Sequence, residues 1–245
     1  MSTIEGKNAV LEALRGGRRV RELLVAESVR NDARIAQIAS LAASAGVTVR
    51  FVGRHELDRL SLRGAHQGVA AVAEPVRYVQ MEELLARVAG ATRALIVVAD
   101  GITDPQNVGA MIRTCEAAGV AGFVLGKHRS AFLGAAAEKA AAGALAYLPI
   151  VQVTNISTSL DKLKEAGFWV TGAAGDGDID LWNADLGART VLVMGSEGKG
   201  LSRLVRRHCD IVVRIPVAGN IQSLNVSAAT AVLVYEALRQ QRQAG

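Results

Sequence analysis

Arg214-Ile215-Pro216-Val217-Ala218-Gly219-Asn220-Ile221-Gln222-Ser223-Leu224-Asn225-Val226-Ser227-Ala228-Ala229 is the stretch on which the fold turns. An apolar strand, Ile211 to Ile215, runs into Pro216, which fixes the exit angle and ends the ladder because it has no N–H. A small polar loop follows. A long apolar helix then runs from about Leu224 to Arg239, with Ser223 or Asn225 placed to cap it. A Gly/Asn/Ser loop feeding a helix start exposes unpaired backbone N–H donors. Four hydrogen-bonding side chains (Asn220, Gln222, Ser223, Asn225) are more than a plain junction needs, so the loop is a candidate binding element.

Two earlier segments repeat this strand–loop–helix design. Ala94 to Ala99 is a continuous apolar run, as expected of a strand covered on both faces. It ends in Asp100-Gly101-Ile102-Thr103-Asp104-Pro105-Gln106-Asn107, and a helix is predicted from Val108 to Ala118 with Asn107 as its N-cap. Arg113 follows Asn107 by about 1.7 helical turns. The second segment, Thr190 to Met194, leads into Gly195-Ser196-Glu197-Gly198-Lys199-Gly200. It is not a phosphate loop, which would need Gly at Val193 and Ser or Thr at Gly200, nor a dinucleotide loop, because Arg203 takes the last glycine position. What remains is a close-approach loop around one acid, Glu197. Three backbone-rich loops at strand ends predict a polar ligand site built largely from main chain.

The rest of the 245-residue chain reads as α/β. Half of it is apolar and only 4 % aromatic, which suits packed α/β layers. From residue 92 to 245, longer βα units predict a mainly parallel sheet, with strands at 121–125, 148–151, 168–172, 190–194 and 211–215. Ligands bind at the carboxyl ends of such strands. Residues 1–75 form a smaller α/β unit, with helices near 6–14, 33–45 and 55–60, and residues 76–91 read as a linker that contains a helix-like stretch, Met81 to Val88. Arg15, Arg18, Arg19 and Arg21 crowd one turn of the small unit, either as a solvated loop or as phosphate contacts. The net charge of +5 is compatible with nucleic acid without demanding it. Two cysteines without a Cys-x-x-Cys pair and four scattered histidines do not make a metal-ligand pattern, so no structural metal site is expected. No leader-like start and no long apolar run are present, so a soluble cytoplasmic protein without a membrane segment is expected.

Taken together, in this order and at these spacings, the three motifs resemble the SpoU/TrmH family of the SPOUT superfamily, S-adenosylmethionine-dependent RNA ribose 2′-O-methyltransferases. Lys127-His128-Arg129-Ser130-Ala131 and Ala142-Gly143-Ala144 add to the likeness. So do Glu5-Gly6-Lys7-Asn8-Ala9-Val10 and His66-Gln67-Gly68, which are similar to the family's small substrate-binding domain. Leu133-Gly134-Ala135-Ala136 is richer in alanine than the family's usual pattern. The resemblance implies a small N-terminal α/β RNA-binding domain (1–75) and a C-terminal SPOUT α/β domain with a deep trefoil knot (92–245), contrary to the general rule against knots. It also implies a homodimer, S-adenosylmethionine as cofactor and RNA as substrate, most closely a guanosine of 23S rRNA. The cofactor would be held at Gly195, Ile215 and Leu224. Asn107, Arg113, Glu197 and Asn225 would be the catalytic set, with Arg113 on a phosphate and Glu197 orienting Arg113 or helping with the proton. The four clustered arginines are expected to contribute phosphate contacts. A tRNA or antibiotic-resistance-type rRNA methyltransferase carries the same motifs. A non-catalytic ribosome-assembly factor and a small-molecule α/β binding protein are the readings from other classes, and S-adenosylmethionine binding separates the catalytic reading from the scaffold.

Overall fold

The computed structural model describes residues 2–61, 66–220 and 223–243. Gln222 therefore lies outside the described residues. The chain divides into two compact units, Met1–Val76 with Phe132–Tyr147, and Arg77–Ala131 with Leu148–Gly245.

The first unit is a four-stranded sheet in the order β1 (Ser2–Glu5), β4 (Val69–Ala73), β2 (Val20–Ala26), β3 (Thr48–Val52). β4 runs antiparallel to β1 and β2, and β2 runs parallel to β3. β2 alternates between two apolar faces, as a strand period of two requires. Leu23 and Val25 pack with α1 (Lys7–Arg15) and α2 (Ala33–Ser44), while Leu24 and Ala26 meet Leu57 of α3 (Arg54–Leu60). Asp32 caps α2 by accepting from Arg34 N at 2.9 Å and Ile35 N at 3.2 Å.

The segment Phe132–Tyr147 belongs to this unit, although the sequence places it in the middle of the large domain. Its helix α6 (Ala135–Ala141) brings Glu138 to Arg18 at 2.9 Å, with both side chains almost fully buried. Tyr147 donates to Glu12 Oε2 at 3.0 Å. A Cβ on Gly143, which sits at φ 100°, would lie 2.3 Å from Glu12 Cβ. The reading of 92–245 as one continuous domain therefore does not describe the packing.

The second unit holds a seven-stranded, wholly parallel sheet in the order β7-β6-β5-β10-β8-β11-β9. The strands are β5 (Ala94–Asp100), β6 (Gly122–Gly126), β7 (Ile150–Val153), β8 (Trp169–Ala173), β9 (Ile179–Asp180), β10 (Arg189–Gly195) and β11 (Ile211–Arg214). Ile96 and Val98 of β5 enter a core with α4 (Met81–Arg87), α7 (Ile156–Glu165) and α8 (Arg203–His208). The alternate residues Leu95, Val97 and Ala99 are also buried, on the other face. α5 (Pro105–Ala117) packs against β6, and α9 (Val226–Gln243) against β10 and α5.

Residues 76–91 are not a bare linker. Val79 N donates to Ile150 O at 2.8 Å, and Met81, Leu84 and Val88 enter the core, because the amphipathic turn of α4 has an apolar face to bury. α8, β1 and β9 are short elements that the sequence pattern did not reveal.

Candidate functional site: a backbone-lined cavity and a polar junction

The carboxyl ends of β8, β10 and β11 open on a cavity of about 370 Å³, within the usual range for small-molecule sites. Gly195, Ile215 and Leu224, the three positions expected to hold a cofactor, all line it, with Met194, Val213 and Leu233 as apolar wall. Gly195 is constrained by its neighbours. A Cβ there would lie 2.3 Å from the Gly200 carbonyl carbon and 2.4 Å from Leu201 N. The loop closes on itself through Ser196 N to Gly200 O at 3.0 Å and Gly200 N to Ser196 O at 2.8 Å. Gly198 and Gly200 sit at φ 78° and 64°, where a side chain is strained.

Folding gathers three of the four expected catalytic residues at the rim. Asn107 Nδ2 donates to Glu197 Oε1 at 3.0 Å. Asn225 Nδ2 donates to the same oxygen at 2.7 Å and to Asn107 Oδ1 at 2.9 Å. Val226 N adds a longer bond to Glu197 Oε1 at 3.3 Å. Asn225 also caps α9, its Oδ1 accepting from Ser227 N at 2.9 Å. One asparagine thus starts the last helix and holds the acid of a loop 28 residues earlier. Glu197 Oε2 has no partner among the described residues.

Two expectations change here. Asn107 is not the cap of α5. Asp104 is, accepting from Gln106 N at 3.0 Å, with Pro105 in the first turn. Aspartate followed by proline is the stronger start signal, and it frees the Asn107 side chain for Glu197. Arg113 is exposed on α5, lines neither this cavity nor the cleft beside it, and makes no hydrogen bond or ion pair with Glu197. Glu197 is oriented by the two asparagines instead.

Residues 94–235 match the SpoU rRNA Methylase family, and residues 3–79 match the RNA 2′-O ribose methyltransferase substrate binding family. The chain belongs to the SpoU rRNA methylase family. It is 45 % identical over 241 residues to the 23S rRNA (guanosine-2′-O-)-methyltransferase RlmB of Pseudomonas aeruginosa, covering 97 % of this chain and 96 % of that protein. Identity to RlmB of Escherichia coli is 38 %, with 97 % and 96 % covered. Among solved structures it is similar to the SpoU methyltransferase AviRb from Streptomyces viridochromogenes in complex with the cofactor AdoMet. That match has a TM-score of 0.84 and 28 % identity, and covers 99 % of this chain and 91 % of that one.

Within this SpoU-family chain, sequence reasoning missed Asp100. This buried carboxylate at the end of β5 accepts from Ser202 N at 2.7 Å and so ties the β10 loop to the first motif. An acid closing an all-apolar strand was the available signal. The arginine cluster also divides. Arg18 is inside, donating to Glu138 and to Glu74 O at 2.8 Å, so it is a structural residue. Arg15, Arg19 and Arg21 stay solvent-accessible, in contact with Glu12 or Glu74. Cys115, on α5, is fully buried, and burial pushes its thiol pKa far up, which leaves it inert. Among the described residues no group of three or more His, Cys, Asp or Glu is placed to hold a metal ion, and no helix is long and apolar enough to cross a membrane.

Proposed function

We propose that the protein methylates the ribose 2′-oxygen of a guanosine in 23S rRNA with S-adenosylmethionine as donor. The reading is supported by family membership, by the RlmB relatives covered almost end to end, and by the cavity. The residues present fit that cofactor: Gly195, Ile215 and Leu224 line a volume with apolar walls, and no side chain can stand at Gly195. Bound there, S-adenosylmethionine supplies a methyl group on a positively charged sulfur.

The observation that carries the reading is the Asn107–Glu197–Asn225 junction on the rim of that cavity. A ribose hydroxyl is a weak nucleophile until it is aligned and relieved of its proton. Glu197 Oε1 is held by two amides, so Oε2 is presented in a fixed direction to accept a hydrogen bond from the 2′-hydroxyl. Asn107 and Asn225 position Glu197. Arg113, exposed on α5, grips a substrate phosphate through its planar guanidinium. The first unit supplies further RNA contacts through the exposed Arg15, Arg19 and Arg21. The protein acts as a homodimer in the cytoplasm, and its last third is threaded as a trefoil knot. Insertion of β10 between β5 and β8, with its loop tied to Asp100 and to the start of α9, supports that threading.

The test is calorimetry with S-adenosylmethionine, together with mapping of ribose methylation on 23S rRNA from cells with and without the gene. Stoichiometric binding and loss of one guanosine methylation are expected. Absence of binding, or an unchanged methylation map, refutes the proposal.

A further inference from the structure

A second cleft, of about 860 Å³, shares Ser196, Glu197 and Gly200 of the Glu197 loop with the donor cavity. Its other walls come from the loops that follow β5, β6 and β7 and from the start of α8, so it too sits at carboxyl strand ends. Arg129 and Lys199 both line it, are exposed, and have no hydrogen-bond or ion-pair partner among the described residues. Neither lines the donor cavity. The acids of the cleft are engaged: Asp100 accepts from Ser202 N, and Glu197 Oε1 accepts from the two asparagines. Asn155 Oδ1 is committed to capping α7, accepting from Thr158 N at 3.3 Å.

Arg129 carries a further mark. Its φ is 53°, a left-handed conformation that is strained for a non-glycine residue and persists where the surroundings impose it. The loop is pinned on both sides, by Lys127 N to Val153 O at 2.7 Å and Ala131 N to Ile102 O at 2.9 Å. A guanidinium held in strained backbone, facing an open cleft, is arranged as a ligand clamp rather than as packing.

We infer that Arg129 and Lys199 clamp a phosphodiester of the RNA strand adjoining the methylated ribose, so that the ribose meets Glu197 where the two cavities join. This rests on the proposed methyltransferase reading and adds the residues that set the strand's path. A phosphate is the ligand because two unpaired cations, one a planar fork, match its charge and oxygens.

The test measures binding of a protein-free 23S rRNA transcript over a range of salt, the KM for that RNA, and S-adenosylmethionine affinity. Arg129→Gly suits the positive φ and removes the guanidinium with its stem, Lys199→Gln removes the ammonium, and Arg129→Lys restores charge. Arg129→Gly and Lys199→Gln are each expected to raise the KM for RNA about tenfold and to lower the salt slope by about 0.7–0.9, while S-adenosylmethionine affinity stays unchanged and Arg129→Lys recovers the slope. An unchanged salt slope overturns the inference, as does a selective loss of S-adenosylmethionine affinity. If the wild-type protein neither binds S-adenosylmethionine nor methylates the transcript, it is the methyltransferase reading that fails.

Discussion

Gly195→Ala tests the backbone-lined cavity most directly. The added methyl would lie 2.3 Å from Gly200 C, 2.4 Å from Leu201 N and 2.5 Å from Gly200 O, all of them backbone atoms with no rotamer to move. Relieving that overlap needs a separation near 3.5 Å, a displacement of about 1 Å. The two bonds that close the loop, at 3.0 and 2.8 Å, would then stretch beyond hydrogen-bonding range. At about 1 kcal/mol net for each, the loss is about 2 kcal/mol. Since 1.4 kcal/mol is a factor of ten, S-adenosylmethionine affinity should fall about thirtyfold. Isothermal titration calorimetry reads the affinity, and a thermal melt reports any share of the cost borne by the fold. Gly219→Ala is the control, because a Cβ there meets nothing within 4 Å. If Gly195→Ala binds within about threefold of wild type and melts at the same temperature, the close approach of the loop does not shape the cavity.

Two other outcomes follow from buried groups. Arg18→Met removes the cation beside the buried Glu138 carboxylate and should cost about 3–5 kcal/mol in chemical denaturation, while the double change Arg18→Met/Glu138→Leu should recover most of it. A single variant as stable as wild type would show that the pair does not hold Phe132–Tyr147 in the first unit. The Cys209 thiol is pushed up to about 11, mainly by burial, so native labelling with a disulfide reagent should be slow at pH 8 and accelerate toward pH 11. An unfolded thiol ionises near about 8.5, so between these values the unfolded state binds fewer protons and this group's contribution to stability falls as pH rises. Rapid labelling of the native protein at pH 7.5 would contradict the burial.

Part of the site was legible because it is local. The apolar run Ala94–Ala99 and a cap at Ser223 or Asn225, found at Asn225, are decided by neighbouring residues. The start of α5 was misplaced because Asn107 is a good cap type, but Asp104-Pro105 outcompetes it. The helix-like stretch Met81 to Val88 was legible as α4, but its place in the core was not, because one apolar turn in seven residues does not say what it packs against.

The sequence by itself determined the α/β layering, the three backbone-rich loops and, through their resemblance, the family. Only the tertiary structure decided which groups meet. Asn107 and Glu197 are 90 residues apart, and Asn107 and Asn225 are 118 apart, yet all three share one hydrogen-bonded junction. The same folding buries Arg18 against Glu138, 120 residues away, and leaves Arg113 apart from Glu197. Periodicity and capping act over a few residues, whereas strand order fixes which loops converge. Placing β10 between β5 and β8 is a choice of packing that no local pattern encodes.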